Sequence, residues 1–132
     1  MHTIIENKLK NCYCGSYSGF ENCCKPIVLG LKKAASAEQL MRSRYTAFCI
    51  QEVDYLVETT HISTRKFHRK SEILTWSQAN TWLKLEIIFA TTTIVEFKAF
   101  FVNEKGEAQI HHEQSTFILE NGSWFYVDGM LH

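Results

Sequence analysis

The sequence has little of what would make it fibrous, disordered or membrane-spanning. One proline, Pro26, and six glycines in 132 residues exclude a collagen-like or low-complexity chain. No apolar stretch approaches the roughly 18 residues a membrane helix needs; the longest clean run is Phe100-Phe101-Val102 with its neighbours. Net charge is also missing, since fourteen Lys and Arg balance fourteen Asp and Glu. A protein that coats a polyanion is more lopsided, so nucleic acid is not expected as the main partner. Residues Met1 to Lys8 show no basic stretch leading into an apolar one, so no signal peptide is read there. The expected compartment is the cytoplasm, where thiols stay reduced.

What is present is a core. Hydrophobic residues are 45% of the chain and charged residues 21%, ordinary for one globular domain with a small appendage. The chain divides into three zones. Residues 1–33 show little apolar periodicity but hold Cys12, Cys14, Cys23, Cys24 and Pro26. Residues 34–80 read as helical. Ser36-Ala37-Glu38-Gln39 has the form of a capping box, and Leu40, Met41, Tyr45 and Phe48 follow at helical spacing. Short helices are expected over Val53 to Val57 and around Ser71 to Ala79, the latter burying Ile73, Leu74 and Trp76. Residues 81–132 change period. Strands are expected over Trp82 to Phe89, Thr93 to Phe101, Ile110 to Leu119 and Trp124 to Asp128, with Asn121-Gly122 as a hairpin turn. Helices followed by an antiparallel meander imply an α+β fold, with helices packed on one face of a bent four-stranded sheet.

The cysteines carry the sharpest chemistry. Four of the five fall in the thirteen residues Cys12 to Cys24. Four thiolates suit a tetrahedral zinc, and Gly15 and Gly19 permit the reversal that brings the second pair round. Apart from Tyr13, Tyr17 and Phe20 this segment has nothing to bury against its ordering entropy. A structural zinc contributes an apparent ~10–16 kcal/mol in zinc-finger peptides. Disulfides fit less well, because a Cys23–Cys24 bridge closes a strained vicinal ring. The expectation is one structural Zn²⁺ on Cys12, Cys14, Cys23 and Cys24, with backbone amides around Gly15 and Ser16 bonding the sulfurs. Cys49, in the helical zone, reads as a small core residue.

The pattern Cys-x-Cys-Gly-Ser, eight residues between the inner cysteines, then Cys-Cys resembles the SEC-C zinc motif. Leu40-Met41-Arg42-Ser43-Arg44-Tyr45-Thr46-Ala47-Phe48 with Asp54-Tyr55-Leu56 resembles the YchJ-like family of small bacterial proteins. So do Val95-Glu96-Phe97, His112-Glu113-Gln114-Ser115-Thr116-Phe117 and Gly122-Ser123-Trp124-Phe125-Tyr126-Val127-Asp128-Gly129. The resemblance runs from about residue 12 to 129. It implies a SEC-C-type zinc-binding segment over 1–33 joined to a nuclear transport factor 2-like (NTF2-like), or cystatin-like, cone over 34–132. Tyr13 stands where the family usually has Pro, and Tyr17-Ser18-Gly19-Phe20 where it has Gly-Lys-Ser-Tyr. The same motif ends the bacterial preprotein translocase ATPase, where it contacts an export chaperone and the ribosome. The resemblance therefore implies a docking role for the zinc knuckle, on a protein or ribosome-associated partner. It names no reaction.

A cone of this type encloses a pocket on the concave face of its sheet. Tyr45, Asp54, His61, His112, Glu113, Ser115, Tyr126 and Asp128 are the candidates to line it. A carboxylate beside an imidazole can exchange protons near neutral pH, so an enzyme using His112, Glu113 and Asp128 on a small molecule is the alternative to a binding module. Of these, Glu113 reads as structural and His112 as functional. His111-His112-Glu113 is not a zincin motif, because residue 116 is Thr and neighbouring strand residues face opposite ways. Arg42 and Arg44 do not share a helix face; at least one is expected to pair with an acidic residue. The basic run Thr64 to Lys70 reads as a solvated surface. Phe97, Phe100 and Phe101 leave open whether the sheet is core throughout or partly a dimer surface. The change in character near residue 34 predicts that the cone folds without zinc, so that chelation leaves the main melting transition nearly unchanged.

Overall fold

A computed structural model describes residues 11–132; the first ten residues of the expected zinc-binding segment lie outside it. Four helices precede a four-stranded antiparallel sheet in the order β1-β2-β3-β4. The helices are α1 (Cys24–Val28), α2 (Ala37–Ile50), α3 (Val53–Glu58) and α4 (Lys70–Ala79), and the strands β1 (Thr81–Ala90), β2 (Ile94–Val102), β3 (Ala108–Glu120) and β4 (Ser123–Leu131). Single 3-10 turns at Phe20–Asn22 and Arg65–Phe67 complete the set among the described residues. The fold is the expected α+β arrangement, helices first and then an antiparallel four-stranded meander. None of the described helices is long and apolar enough to cross a membrane.

Helix α2 begins where its sequence says it should. The Ser36 hydroxyl accepts from the Gln39 amide at 3.0 Å, capping an N-terminal donor that the helix cannot satisfy itself. Gln39 reaches back as a capping box requires, but to the Ala35 amide rather than that of Ser36. The helix lays Ala37, Leu40, Met41 and Tyr45 against Leu85, Val95, Phe97, Ala99 and Phe117 of the sheet. Burying each of the larger side chains contributes about 1.5–3 kcal/mol. A second cluster joins Val28 of α1 to Ala47 of α2 and Leu56 of α3. The cysteine-bearing segment thus leans on the same helix that anchors the sheet.

The sheet is a meander with three register shifts. Asn121 and Gly122 both have positive φ, as a two-residue type I′ hairpin requires, and this joins β3 to β4. The β3–β4 register pairs Phe117 with Tyr126 and Thr116 with Asp128, leaving Val127 as an extra residue, a β-bulge. Two further shifts lie in β1, between Trp82 and Lys84 and between Ile87 and Phe89. On β3 the buried Phe117 and Ser115 fix the inner face, so His111 and Glu113 look inward while His112 and Gln114 look outward. Phe97 and Phe101 belong to the same interior, whereas Phe100 lies on the other face beneath the Lys84 ammonium. Helix α4 buries Ser77 and half-buries Ile73 and Leu74, but Trp76 stays 39% exposed. That tryptophan stands at the rim of a cavity between the helices and the sheet.

Candidate functional site

Two groups of side chains stand out, one at the cysteines and one under the helices. The four sulfurs of Cys12, Cys14, Cys23 and Cys24 lie within 4.8 Å of one another. Cys14 and Cys23 are 3.7 Å apart, Cys23 and Cys24 3.9 Å. A tetrahedron of thiolates at ~2.3 Å from a metal has edges of about 3.8 Å, so this spacing fits one ion and no disulfide. The turn that closes the group uses positive φ at Gly15 and at Tyr17, while Gly19 is extended. The Ser16 hydroxyl lies 3.1 Å from the Cys23 sulfur. The Gly15 amide instead donates to the Cys12 carbonyl at 3.1 Å.

Four thiols this close cannot all ionise alone. Hydrogen bonds from Cys12 and Cys24 hold the Cys14 thiol well below the usual range. Burial pushes Cys23 up, and hydrogen bonding with Cys12 and Cys14 pushes Cys24 up. A dication removes that conflict, because it favours the thiolate at every ligand. The donor set is soft and closed, with Cys12, Cys14 and Cys24 buried, and therefore suits a structural metal rather than a catalytic one with an open position.

The second group surrounds a cavity of about 200 Å³ between the helices and the inner face of the sheet. Helix α2 supplies Met41, Arg44, Tyr45 and Phe48, one stripe at helical spacing. Trp76 of α4 and Trp82 of β1 form an aromatic wall, their ring centres 4.9 Å apart. Phe97 and Ala99 of β2, the inward residues of β3 and Tyr126 of β4 form the floor, with His68 closing one side.

A continuous polar ladder crosses that floor. His111 lies edge-on to Trp76 and places Nε2 2.7 Å from Glu113 Oε1. Ser115 and Tyr126 donate to Glu113 Oε2 at 2.6 and 3.0 Å. The guanidinium of Arg44 sits 4.5 Å above the Tyr126 ring. Burial raises the Glu113 carboxyl, but the bonds from His111, Ser115 and Tyr126 outweigh it and hold the group below the usual carboxylate range. Glu113 is thus an anchored anion. It fixes the His111 ring through Nε2 and leaves Nδ1 without a partner among the described residues. Burial, then the neighbouring Arg44, pushes His68 down and favours its neutral form. Burial lowers Arg44 to about 10, so it remains a cation at neutral pH.

Of the eight residues singled out from sequence, Tyr45, Glu113, Ser115 and Tyr126 come together here, and the other four do not. Asp54 is exposed at the start of α3 and pairs with Lys70 at 2.7 Å. His61 bonds Ser63 and Glu120 beyond the edge of β4. His112 points to the outer face, bonds Glu96 at 2.7 Å and stacks on His132. Asp128 would share a face with Tyr126 on a regular strand, but the bulge at Val127 turns it to the outer face opposite exposed Thr116. Of the acid–base candidates His112, Glu113 and Asp128, only Glu113 lines the cavity, and the imidazole beside it there is that of His111.

Sequence reasoning missed His111, Arg44 and His68. The parity of β3 was the available signal for His111, because Phe117 had to face the core. For Arg44 it was the i, i+3, i+4, i+7 stripe from Met41. Arg44 does not pair directly with an acid as expected of one of the two arginines; Arg42 does, with Glu38 at 3.0 Å.

Comparison with known proteins identifies the family and the fold. The family described as "YchJ, middle NTF2-like domain" matches residues 36–129. A UPF0225 protein of Haemophilus influenzae is 38% identical over 125 residues, covering 91% of this chain and 77% of that protein. The UPF0225 protein YchJ of Shigella dysenteriae is 38% identical over 124 residues, covering 89% and 81%. The chain belongs to the YchJ family. Two solved structures, each titled as a SEC-C motif containing protein, share its fold. That from Rhodopseudomonas palustris has a TM-score of 0.84 at 35% identity, over 91% of this chain and 97% of that one. That from Psychrobacter arcticus has a TM-score of 0.76 at 26% identity, over 96% and 85%. In this YchJ-family chain the SEC-C cysteines and the NTF2-like cavity share helix α2.

Proposed function

We propose that this YchJ-family protein binds a small molecule in its NTF2-like cavity and that a structural zinc on Cys12, Cys14, Cys23 and Cys24 braces the helix lining it. Residues 1–33 form the metal-binding segment in this reading and 34–132 the ligand-binding unit. One observation carries it. A ladder of charged and polar groups, Arg44, Tyr126, Glu113 and His111, lies along an otherwise aromatic cavity, whereas a filled core would hold apolar side chains there. Zinc is favoured over other divalent ions by the all-thiolate, tetrahedral donor set. A fragment screen by thermal shift and ligand-observed NMR tests the binding reading on wild type and on a Phe97→Trp variant that fills the cavity. Fragments that bind wild type and lose binding in the variant support it. Fragments that bind both equally place binding elsewhere and sink it.

A docking role for the knuckle is the second reading. It is favoured by Tyr17, held at positive φ with 85% of its surface exposed, and by the exposed Tyr13 beside the cysteines. Exposed tyrosines suit a protein partner. A partner captured by wild type but not by a Tyr13→Ser, Tyr17→Ser double variant would support this role, and equal capture by both would remove it.

A further inference from the structure

We infer that the cavity takes a small, flat, apolar carboxylate, its body among the aromatic side chains and its carboxyl group on the free edge of Arg44. The inference rests on the small-molecule reading above and gives the ligand a chemical class.

Arg44 is 7% exposed. All its hydrogen bonds leave from Nη1, to the Leu56 carbonyl at 2.9 Å, Thr59 Oγ1 at 2.7 Å and Thr60 Oγ1 at 3.4 Å. Nε and Nη2 have no partner among the described residues, and no described carboxylate forms an ion pair with this guanidinium. No buried side-chain nitrogen or oxygen among the described residues lacks a partner. The two unpaired nitrogens are therefore open to space rather than sealed in protein, and the cavity is the space Arg44 lines. Buried charges are normally paired. Here the cation is embedded and its counter-ion is missing.

The protein's own anion does not fill that place. Both oxygens of Glu113 are engaged, by His111 on one and by Ser115 and Tyr126 on the other. A guanidinium edge with two parallel N–H groups matches a carboxylate bidentately. The cavity offers one such edge, and the neighbouring His68 is held toward its neutral form, so a single negative charge fits better than a phosphate dianion. A cationic ligand would meet the Arg44 charge directly, while Glu113, the anion lining the cavity, already has both oxygens engaged.

The remaining surface describes the body of the ligand. Phe48, Trp76, Trp82 and Phe97 offer ring faces and edges rather than hydrogen-bonding groups. A volume of about 200 Å³ is small. A dry cavity of ~150 Å³ accepts benzene, so one ring with a short acid arm is the matching size.

Benzoate and phenylacetate, their uncharged amides benzamide and phenylacetamide, and the cation benzylamine are the probes. They are titrated into the full chain with tryptophan fluorescence as the readout, since Trp76 and Trp82 border the cavity. The carboxylates are expected to bind about tenfold or more tighter than the amides. In Arg44→Lys, which keeps the charge and loses the fork, that advantage should largely disappear while amide binding persists. In Trp76→Leu both classes should weaken together. If Arg44→Lys does not fold, the wild-type ratio of acid to amide decides the matter alone. Equal binding of acid and amide, or tighter binding of benzylamine, would overturn the ligand class while leaving a small-molecule cavity in place. Saturation by none of the five probes at millimolar concentration would overturn both readings.

Discussion

Arg42 donates from Nη1 to the carbonyl oxygen of Cys14 at 2.6 Å, while its Nε holds Glu38 one turn earlier on α2 at 3.0 Å. One side chain thus ties the cysteine turn to the helix that builds the cavity. Two further contacts run the same way. The Cys12 sulfur lies 3.8 Å from the buried Thr46 hydroxyl, and Val28 packs on Ala47 and Leu56.

Metal removal is therefore expected to reach the whole chain. Under reducing conditions a chelator should lower the main melting transition, not merely loosen the N-terminal segment. The sequence-based expectation ran the other way, because it saw a segment poor in core residues and not the contacts that segment makes. Arg42→Ala should cost about 1–2 kcal/mol from its bond to the Cys14 carbonyl. At roughly 2–8 °C per kcal/mol that is readily measured by calorimetry. A main transition that stays at its original temperature after zinc is stripped would show that these contacts carry no stability.

The fold was legible because local and tertiary signals agree along most of the chain. The Ser36 cap, the Met41–Phe48 stripe and Asn121-Gly122 each specify geometry within a few residues. Less legible was α1, whose five residues are held by Val28 packing against α2 and α3 rather than by propensity. The site was half legible. Glu113, Ser115 and Tyr126 sit where strand alternation puts them. Asp128 failed because one bulged residue, Val127, reverses the parity beyond it, and no composition rule announces a bulge. Arg44 was not singled out because a buried cation without a protein counter-ion is uncommon, and the sequence pointed only to an acidic partner for one of Arg42 and Arg44.

Gly129 should tolerate no side chain. It pairs with Ser115 across β3 and β4, and the Glu113 carboxylate lies over it in the space a Cβ would fill. Its φ is not the positive one that demands glycine, so the restriction is steric. Gly129→Ala should cost about 1–3 kcal/mol by overpacking, and should displace Glu113 from His111. Denaturant unfolding gives the first quantity, and the His111 ring resonances in NMR report the second. An alanine accepted without either effect would mean that Glu113 has another equally good position.

Glu113 should give the protein part of its acid sensitivity. Its folded carboxyl titrates below its unfolded value, so its stabilisation is fully present above about pH 4.3. That contribution is lost as the pH falls through the folded value beneath it. Glu113→Gln should therefore be less stable than wild type at pH 7, by about 1–3 kcal/mol, with the gap closing in acid. Urea unfolding between pH 7 and pH 3 measures both curves. A gap constant across that range would assign the loss to shape rather than charge.

His111 and His112 are neighbours on one strand with opposite expected roles. His112 faces outward, where its pairing with Glu96 is partly solvated, and such pairs contribute about 0–1 kcal/mol. His112→Ala should thus change stability by less than about 1 kcal/mol and leave benzoate binding in the cavity unaltered. His111 faces inward and supplies the one hydrogen bond found at Glu113 Oε1, a carboxylate whose side chain is only 12% exposed. Removing that donor leaves a largely buried anion short of a partner, so His111→Ala should cost about 1.5–3 kcal/mol. It should also alter benzoate affinity, because His111 lines the cavity between Trp76 and Glu113. Urea unfolding and the fluorescence titration, run on both variants at pH 7, read the two effects separately. If His112→Ala proved the more damaging on both counts, the inner face of β3 would be the even-numbered one. The buried positions of Ser115 and Phe117 argue against that, since residues two and four beyond Glu113 cannot lie inside while Glu113 lies outside.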